Sequence, residues 1–395
     1  MTSATDWIHG KITDQAIEVL RSRCGTMGSM SPETDPYSRV SIIGYMAGYG
    51  DDNPLYWDED YAAPTRWAGV TAPPRMLLTA PSLTPRSVQE PVSTRSVTFM
   101  GEDVLQGVFA MVSGSRTVFE RPVRIGDRLR SQSGPHEVIE RQSKMAGRAL
   151  ELVNKVAFYN QRDELVATSY DSVIRMERGA ARDNRKYLDI PEARYTPEEM
   201  EALSAHYRGE SSQRRGGQPR YWEDTEVGDD LVKLAKGPLT ITDITAYFMA
   251  RAGARHFYTN RVKHLELKAN PSMRLVNPDT NIEDNWVAAH WDEDFARLSG
   301  IPRAYDEGAM RYDNLAHVVT DWMGDDAALR ELSVTLRKPS LIGDLSWCTG
   351  KVGAKRIEGD RHLVDLNLWI TNQRDERTAL GAATVELPSR QNAAS

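Results

Sequence analysis

An internal duplication constrains this chain more than any other feature of its sequence. The run Trp57-Asp58-Glu59-Asp60-Tyr61-Ala62 returns as Trp291-Asp292-Glu293-Asp294-Phe295-Ala296. Arg121-Pro122-Val123-Arg124-Ile125-Gly126-Asp127 is echoed by Lys338-Pro339-Ser340-Leu341-Ile342-Gly343-Asp344, and Asn160-Gln161-Arg162-Asp163-Glu164 recurs intact as Asn372-Gln373-Arg374-Asp375-Glu376. Three blocks kept in order point to a copied unit rather than to shared turn chemistry. The 395 residues are long enough for two such units with separate cores.

Each half repeats one coarse pattern. An apolar, helix-like run comes first, Val40 to Tyr49 and Ile241 to Ala252, the second with capping-box spacing at Thr240 and Asp243. The Trp-Asp-Glu-Asp block follows. Strand-like runs come last: Thr117 to Val123, Ala149 to Tyr159 and Leu165 to Met176, then Glu331 to Leu336, His362 to Thr371 and Ala379 to Leu387. Helix first and strands after predict an α+β fold. The Asn-Gln-Arg-Asp-Glu blocks read as hairpin turns, and Gly126-Asp127 and Gly343-Asp344 as turns that open strands. The units are predicted over 8–176 and 220–390, joined by a charged connector, 177–219, with a helix at Pro197 to Tyr207. The second copy carries an insertion, 253–289, between its apolar helix and its Trp-Asp-Glu-Asp block.

Composition removes several classes of function. A net charge of −7 gives no global attraction to phosphate, so a nucleic-acid partner is not expected. Cys24 and Cys348, one in each half, build neither a disulfide framework nor a thiolate zinc site, and a reducing cytoplasm fits them. The first ten residues lack a leader's basic and apolar segments, and no run spans a bilayer, so a soluble cytoplasmic protein is expected, away from membranes. The histidines lack metal-ligand spacing, and Gly-x-Ser-x-Gly and Gly-rich nucleotide loops are absent; no metal or redox cofactor is predicted.

Gly50-Asp51-Asp52-Asn53-Pro54-Leu55-Tyr56-Trp57-Asp58 resembles the hydratase 2 motif of MaoC-like dehydratases, in which Asp-x-Asn-Pro-hydrophobic-His precedes an acidic helix and an alanine. Tyr221 to Gly228, with Leu239 to Asp243, resembles the opening of such a domain. The first half is similar to the dehydratase subgroup related to type I fatty acid synthase. The resemblance implies a hotdog fold in each half, a long helix wrapped by an antiparallel sheet, and hence a double hotdog. It also implies hydration of 2-enoyl thioesters or the reverse dehydration. Coenzyme A would enter only as part of an acyl-CoA substrate, an acyl carrier thioester being the other choice.

That chemistry needs a base for water, an acid for the α-carbon and a donor for the enolate-like oxygen. His290 falls where the motif histidine belongs, and its imidazole exchanges protons near neutrality. The motif aspartate position is Asn285. Either Asp284, one step away, takes the carboxylate role, or Asn285 holds the water as a neutral partner. Gly308, in Glu307-Gly308-Ala309-Met310, matches the family glycine whose N–H faces the thioester oxygen. In the first copy Asp51, Asn53 and Pro54 fit the motif but Tyr56 replaces histidine, and Pro73 and Pro74 have no N–H to offer. Catalysis is therefore assigned to His290, Asp284 and Gly308. Asp51, Asn53, Tyr56, Asn285, Tyr305 and Arg311 are assigned to substrate binding, with Asp306 and Trp322 as further lining candidates. In the insertion, His256, Tyr258, Arg261, His264 and Arg274 are read as a tunnel cover, a coenzyme A phosphate site or a solvated excursion. A bulky or long acyl group suits the space freed in the degenerate copy. Two rivals remain: a non-catalytic acyl-thioester-binding subunit and a hotdog thioesterase. The chain is expected as a pseudo-dimeric monomer or as part of a homo-oligomer.

Overall fold

A computed structural model describes residues 10–78, 99–143, 147–177, 190–252, 259–269, 274–277, 279–298 and 300–393. Its main feature is a nine-stranded antiparallel sheet. The first half contributes β1 (Phe109–Phe119), β2 (Arg130–Ser143), β3 (Gly147–Tyr159) and β4 (Leu165–Met176). The second contributes β5 (Leu234–Lys236) and, after the two-stranded ribbon of β6 (Arg274–Val276) and β7 (Glu283–Asn285), β8 (Ala328–Leu336), β9 (Ser346–Glu358), β10 (Arg361–Asn372) and β11 (Arg377–Glu386). The strand order is β2-β3-β4-β1-β8-β11-β10-β9-β5, so within the sheet the halves join where β1 pairs with β8. Gly114 sits at that seam, where a Cβ would come within 2.8 Å of the Val334 carbonyl. Arg116 clasps Glu331 across it.

Period-two burial builds the sheet's inner face, as in β10, where Leu366, Leu368 and Ile370 are buried and the residues between them less so. That face wraps one helix, Gly308–Met323, in which every residue from Ala309 to Met323 is buried. In the first copy the matching stretch shows a short 3-10 turn, Pro74–Leu78, and then leaves the described residues at 79–98. The long helix expected of each copy is therefore described in the second only. It escaped periodicity analysis because a helix covered on all sides has no polar stripe to mark it.

The apolar helices lie where expected, at Arg39–Tyr49 and Ile241–Ala252, and pack on each other. Gly48 permits the contact, since a Cβ there would meet that of Ala250 at 2.3 Å. Most strand expectations hold within a few residues, but β1 begins eight residues before Thr117 and ends at Phe119, and β2 and β9 were missed. Those two read as too polar, because they lie toward the sheet's ends: β2 is an edge strand, and β9 is covered by only three residues of β5. The connector helix runs on to Gln213.

The repeated blocks fold identically. Asn160 Oδ1 accepts from the N–H groups of Arg162 and Glu164, and Asn372 Oδ1 from those of Arg374 and Glu376. Gln161 reaches Asp127 and Gln373 reaches Asp344, locking each hairpin to its own Gly-Asp turn. Both aspartates at the hairpin tips, Asp163 and Asp375, adopt positive φ. Asn372→Ala would leave two turn N–H groups without their acceptor and is expected to cost about 2 kcal/mol in chemical denaturation.

Candidate active site

His290 ends a 3-10 turn, Trp286–His290, that is buried except for Trp286 and lies beside the start of the central helix. Its Nδ1 lies 2.9 Å from the Tyr305 carbonyl, which can only accept, so Nδ1 carries the proton and Nε2 the lone pair of the neutral ring. Burial pushes the imidazole below its ordinary pKa, against the pull of that carbonyl and of Glu307. The rings of Tyr305 and Phe248 pack on it at 4.5 and 5.5 Å. Glu307 caps the central helix by accepting from the Ala309 N–H, and pairs with Arg251 at 3.1 Å. The structure thus brings His290, Tyr305 and the Gly308 helix start together. Gly308 also has a packing reason to be glycine, because a Cβ would meet Leu336 Cδ1 at 2.7 Å.

The local register differs from the one read in the sequence. Asn53 caps the 3-10 turn Pro54–Tyr56 by accepting from the Leu55 N–H, with Pro54 well suited to the first helical position. Asn285 caps Trp286–His290 in the same way, accepting from the Val287 N–H. Asn285 therefore corresponds to Asn53, not to the motif aspartate, and the second turn is longer before reaching its tryptophan. Counting back from the cap, Glu283 stands where Asp51 stands, and it pairs with Arg274 at 2.8 Å. Asp284 accepts from the Asn285 N–H and pairs with Lys263 at 3.6 Å; no hydrogen bond or ion pair joins it to His290 among the described residues. The Nδ2 of Asn285 is buried without a protein partner. Arg311 is committed to the protein: it pairs with Asp306 at 2.7 Å and donates to the carbonyls of Lys338 and Thr378. Trp322 is buried under the Arg220 guanidinium. Of the insertion residues, Arg261 and His264 lie on the helix Asn260–Ala269, while His256 and Tyr258 lie outside the described residues.

The first copy's motif forms a second constellation. Gly50 ends the Arg39–Tyr49 helix at φ 73°, a left-handed cap, and delivers the next residue, Asp51, into the interior. Asp51 accepts from Tyr49 Oη at 2.7 Å and from the Asn53 N–H, while Asn53 donates to Asp325. The central helix supplies what the sequence reading missed. His317 Nε2 lies 3.7 Å from Asp51 and 3.4 Å from Asp321, and all three are buried. Lys236 Nζ sits 3.0 Å from His317 Nδ1 and 3.7 Å from Glu210. The connector helix and the residue after it hold Asp52 through Ser211 and Arg214. No spacing in the sequence links residues 51 and 317; only the fold does. Beside Tyr56 a pocket of about 230 Å³ opens, with Asn53, Leu77, Phe119, Thr320 and Met323 in its wall.

Donor atoms of Asp51, His317 and Asp321 lie within 4.8 Å of one another, a spacing a metal ion could use. The neighbouring ammonium argues against one. Lys236 donates to Nδ1, which puts the ring proton on Nε2, the nitrogen a metal would need. Burial, reinforced by the Asp51 charge, raises the Asp321 carboxyl to about 8, and burial also raises Asp51 against the hydrogen bond from Tyr49. Native Asp321 thus holds a proton that the unfolded chain releases near pH 4, so wild-type stability falls between about pH 4 and about pH 8. Asp321→Asn cannot ionise, and is expected to flatten that fall and gain roughly 1–3 kcal/mol at pH 8 in denaturant titrations.

Residues 25–169 match the family model of the FAS1-like dehydratase domain region. A UPF0336 protein from Streptomyces avermitilis is 30% identical over 105 residues, which cover 26% of this chain and 64% of that protein. Among solved structures, a MaoC-like dehydratase aligns over 93% of this chain and 100% of its own, with a TM-score of 0.62 and 18% identity. A conserved hypothetical protein from Mycobacterium tuberculosis, described as a double hotdog fold, aligns over 92% and 96% with a TM-score of 0.53 and 15% identity. A MaoC-like dehydratase from Phytophthora capsici aligns over 94% and 99% with a TM-score of 0.51 and 13% identity. No helix among the described residues is long and apolar enough to cross a membrane. Residues 25–169 are thus similar to the FAS1-like dehydratase domain region, and the chain as a whole has the double hotdog fold seen in these solved structures.

Proposed function

We propose that the protein is a hydro-lyase that adds water reversibly across the double bond of a 2-enoyl thioester, as an (R)-specific enoyl-CoA hydratase or 3-hydroxyacyl-CoA dehydratase does. The observation that carries this reading is the state of His290: a neutral imidazole, its Nδ1 proton tied to the Tyr305 carbonyl, beside the start of the central helix. In hydration Nε2 takes a proton from water while the water oxygen bonds to C3. The π electrons move toward the thioester carbonyl, and a proton returns to C2. The helix start at Gly308 supplies a positive dipole end for the enolate-like oxygen. Asn285 Nδ2, the buried donor with no protein partner, fits the task of holding water, and supports the neutral-partner reading over a carboxylate at Asp284.

The substrate would be an acyl-CoA or acyl carrier thioester, with coenzyme A serving as carrier and no separate cofactor. The apolar part of the pocket beside Tyr56, with Leu55, Leu77, Phe119 and Met323, suits an acyl chain, and His290 and Gly308 lie outside its lining. Loss of the conjugated thioester absorbance of crotonyl-CoA and of longer or branched enoyl-CoAs measures the reaction. His290→Ala is expected to lower kcat by about 10²- to 10⁴-fold. Thioester binding without turnover by wild type would instead favour a non-catalytic binding subunit.

A further inference from the structure

We infer that Asp51, His317 and Asp321 form a second acid–base centre, built from both copies, that serves the pocket beside Tyr56. The inference rests on the hydro-lyase reading and extends it to a half whose motif lacks histidine.

Three observations carry it. First, geometry supplies the missing imidazole from elsewhere: Tyr56 occupies the motif histidine position, yet His317 of the central helix stands 3.7 Å from Asp51. Second, the ring's orientation is fixed. Lys236 Nζ, 3.0 Å from Nδ1, donates there, so the Nε2 proton points at the two carboxylates. Third, the centre retains unused capacity. His317 Nε2 and Asp321 Oδ1 are buried with no hydrogen-bond partner in the protein, at 1% side-chain exposure each. Buried polar atoms of that kind are rare and costly unless a ligand or water engages them.

Space beside the centre adjoins the pocket. A void of about 10 Å³, close to the smallest that admits one water, lies against His317 and is lined by Tyr49, Pro74, Arg75 and Thr320. Pro74 and Thr320 also line the pocket beside Tyr56, so the void and the pocket share a wall. The surrounding charges are Asp52, Glu210, Lys236 and Arg214. Two cations among these carboxylates leave excess negative charge, which the centre resolves by retaining a proton. During hydration the water oxygen bonds to C3 and its proton passes to the ionised carboxylate of the Asp51–Asp321 pair, which the Nε2–H of His317 faces and holds in place. The pair returns its stored proton to C2 as the π bond opens, so the centre ends with the protons it began with.

The test measures enoyl-CoA hydration by wild type, His290→Ala, and His290→Ala combined with Asp51→Asn or with His317→Gln. Thermal midpoints and metal content are read on each. The expected result is a residual rate in His290→Ala, above the solution background. Either second substitution should lower its kcat by at least 10²-fold at unchanged KM. Asp51→Asn preserves shape, so it decides the matter if His317→Gln does not fold. Wild-type activity with no residual rate in His290→Ala, or a residual rate indifferent to Asp51→Asn, overturns the second centre and leaves the hydro-lyase reading standing. Wild type inactive on every thioester overturns both. A stoichiometric metal ion that His317→Gln releases overturns the proton centre in favour of a metal site.

Discussion

The carboxylate of Asp313, in the middle of the central helix, is the contact on which the rest of this structure depends. It accepts from Tyr45 at 2.9 Å, from Tyr247 at 2.5 Å and from Arg75 at 2.7 Å. Tyr45 and Arg75 belong to the first half and Tyr247 to the second, and the two tyrosines lie on the equivalent apolar helices. A buried carboxylate is tolerated when charge-assisted partners surround it, and removing one partner from such a set is far costlier than the set is worth on balance. This hub fixes the rotation of the central helix. That rotation in turn aims His317 at Asp51 and, one turn further on, Asp321 at His317.

The two copies have diverged in complementary directions. The second keeps a histidine at the start of a complete helix, with a register two residues longer in the preceding turn. The first keeps the aspartate, asparagine and proline, and borrows its imidazole from the second copy's helix. The connector is part of the arrangement rather than a tether. Tyr195 donates to the Gly343 carbonyl and Tyr207 to that of Gly237, both in the second copy, while Ser211 and Arg214 hold Asp52 in the first.

What was legible in the sequence followed from local physics. The hairpin blocks, the two apolar helices and the alternating strands announce themselves through turn chemistry and periodicity. The central helix did not, because its polar residues, Arg311, Asp313, His317 and Asp321, are buried, and Arg311, Asp313 and His317 answer to residues distant in sequence. The register around Asn285 misled for a similar reason: counting back from a tryptophan assumes turns of equal length, whereas the cap hydrogen bond marks the true correspondence. His290 and Gly308 were found from motif matches alone, and the fold places them at one helix start.

Fusion of the copies has a consequence for symmetry. In a homodimer every side chain near the twofold axis faces its own image, so an aspartate placed there would confront a second aspartate and both would suffer like-charge repulsion. A tandem chain breaks that identity. One Asp313 can take a tyrosine from each copy, with Arg75 of the first alone as its counter-ion. Duplication within one chain thus opened an arrangement of buried charge that two identical subunits could not have adopted.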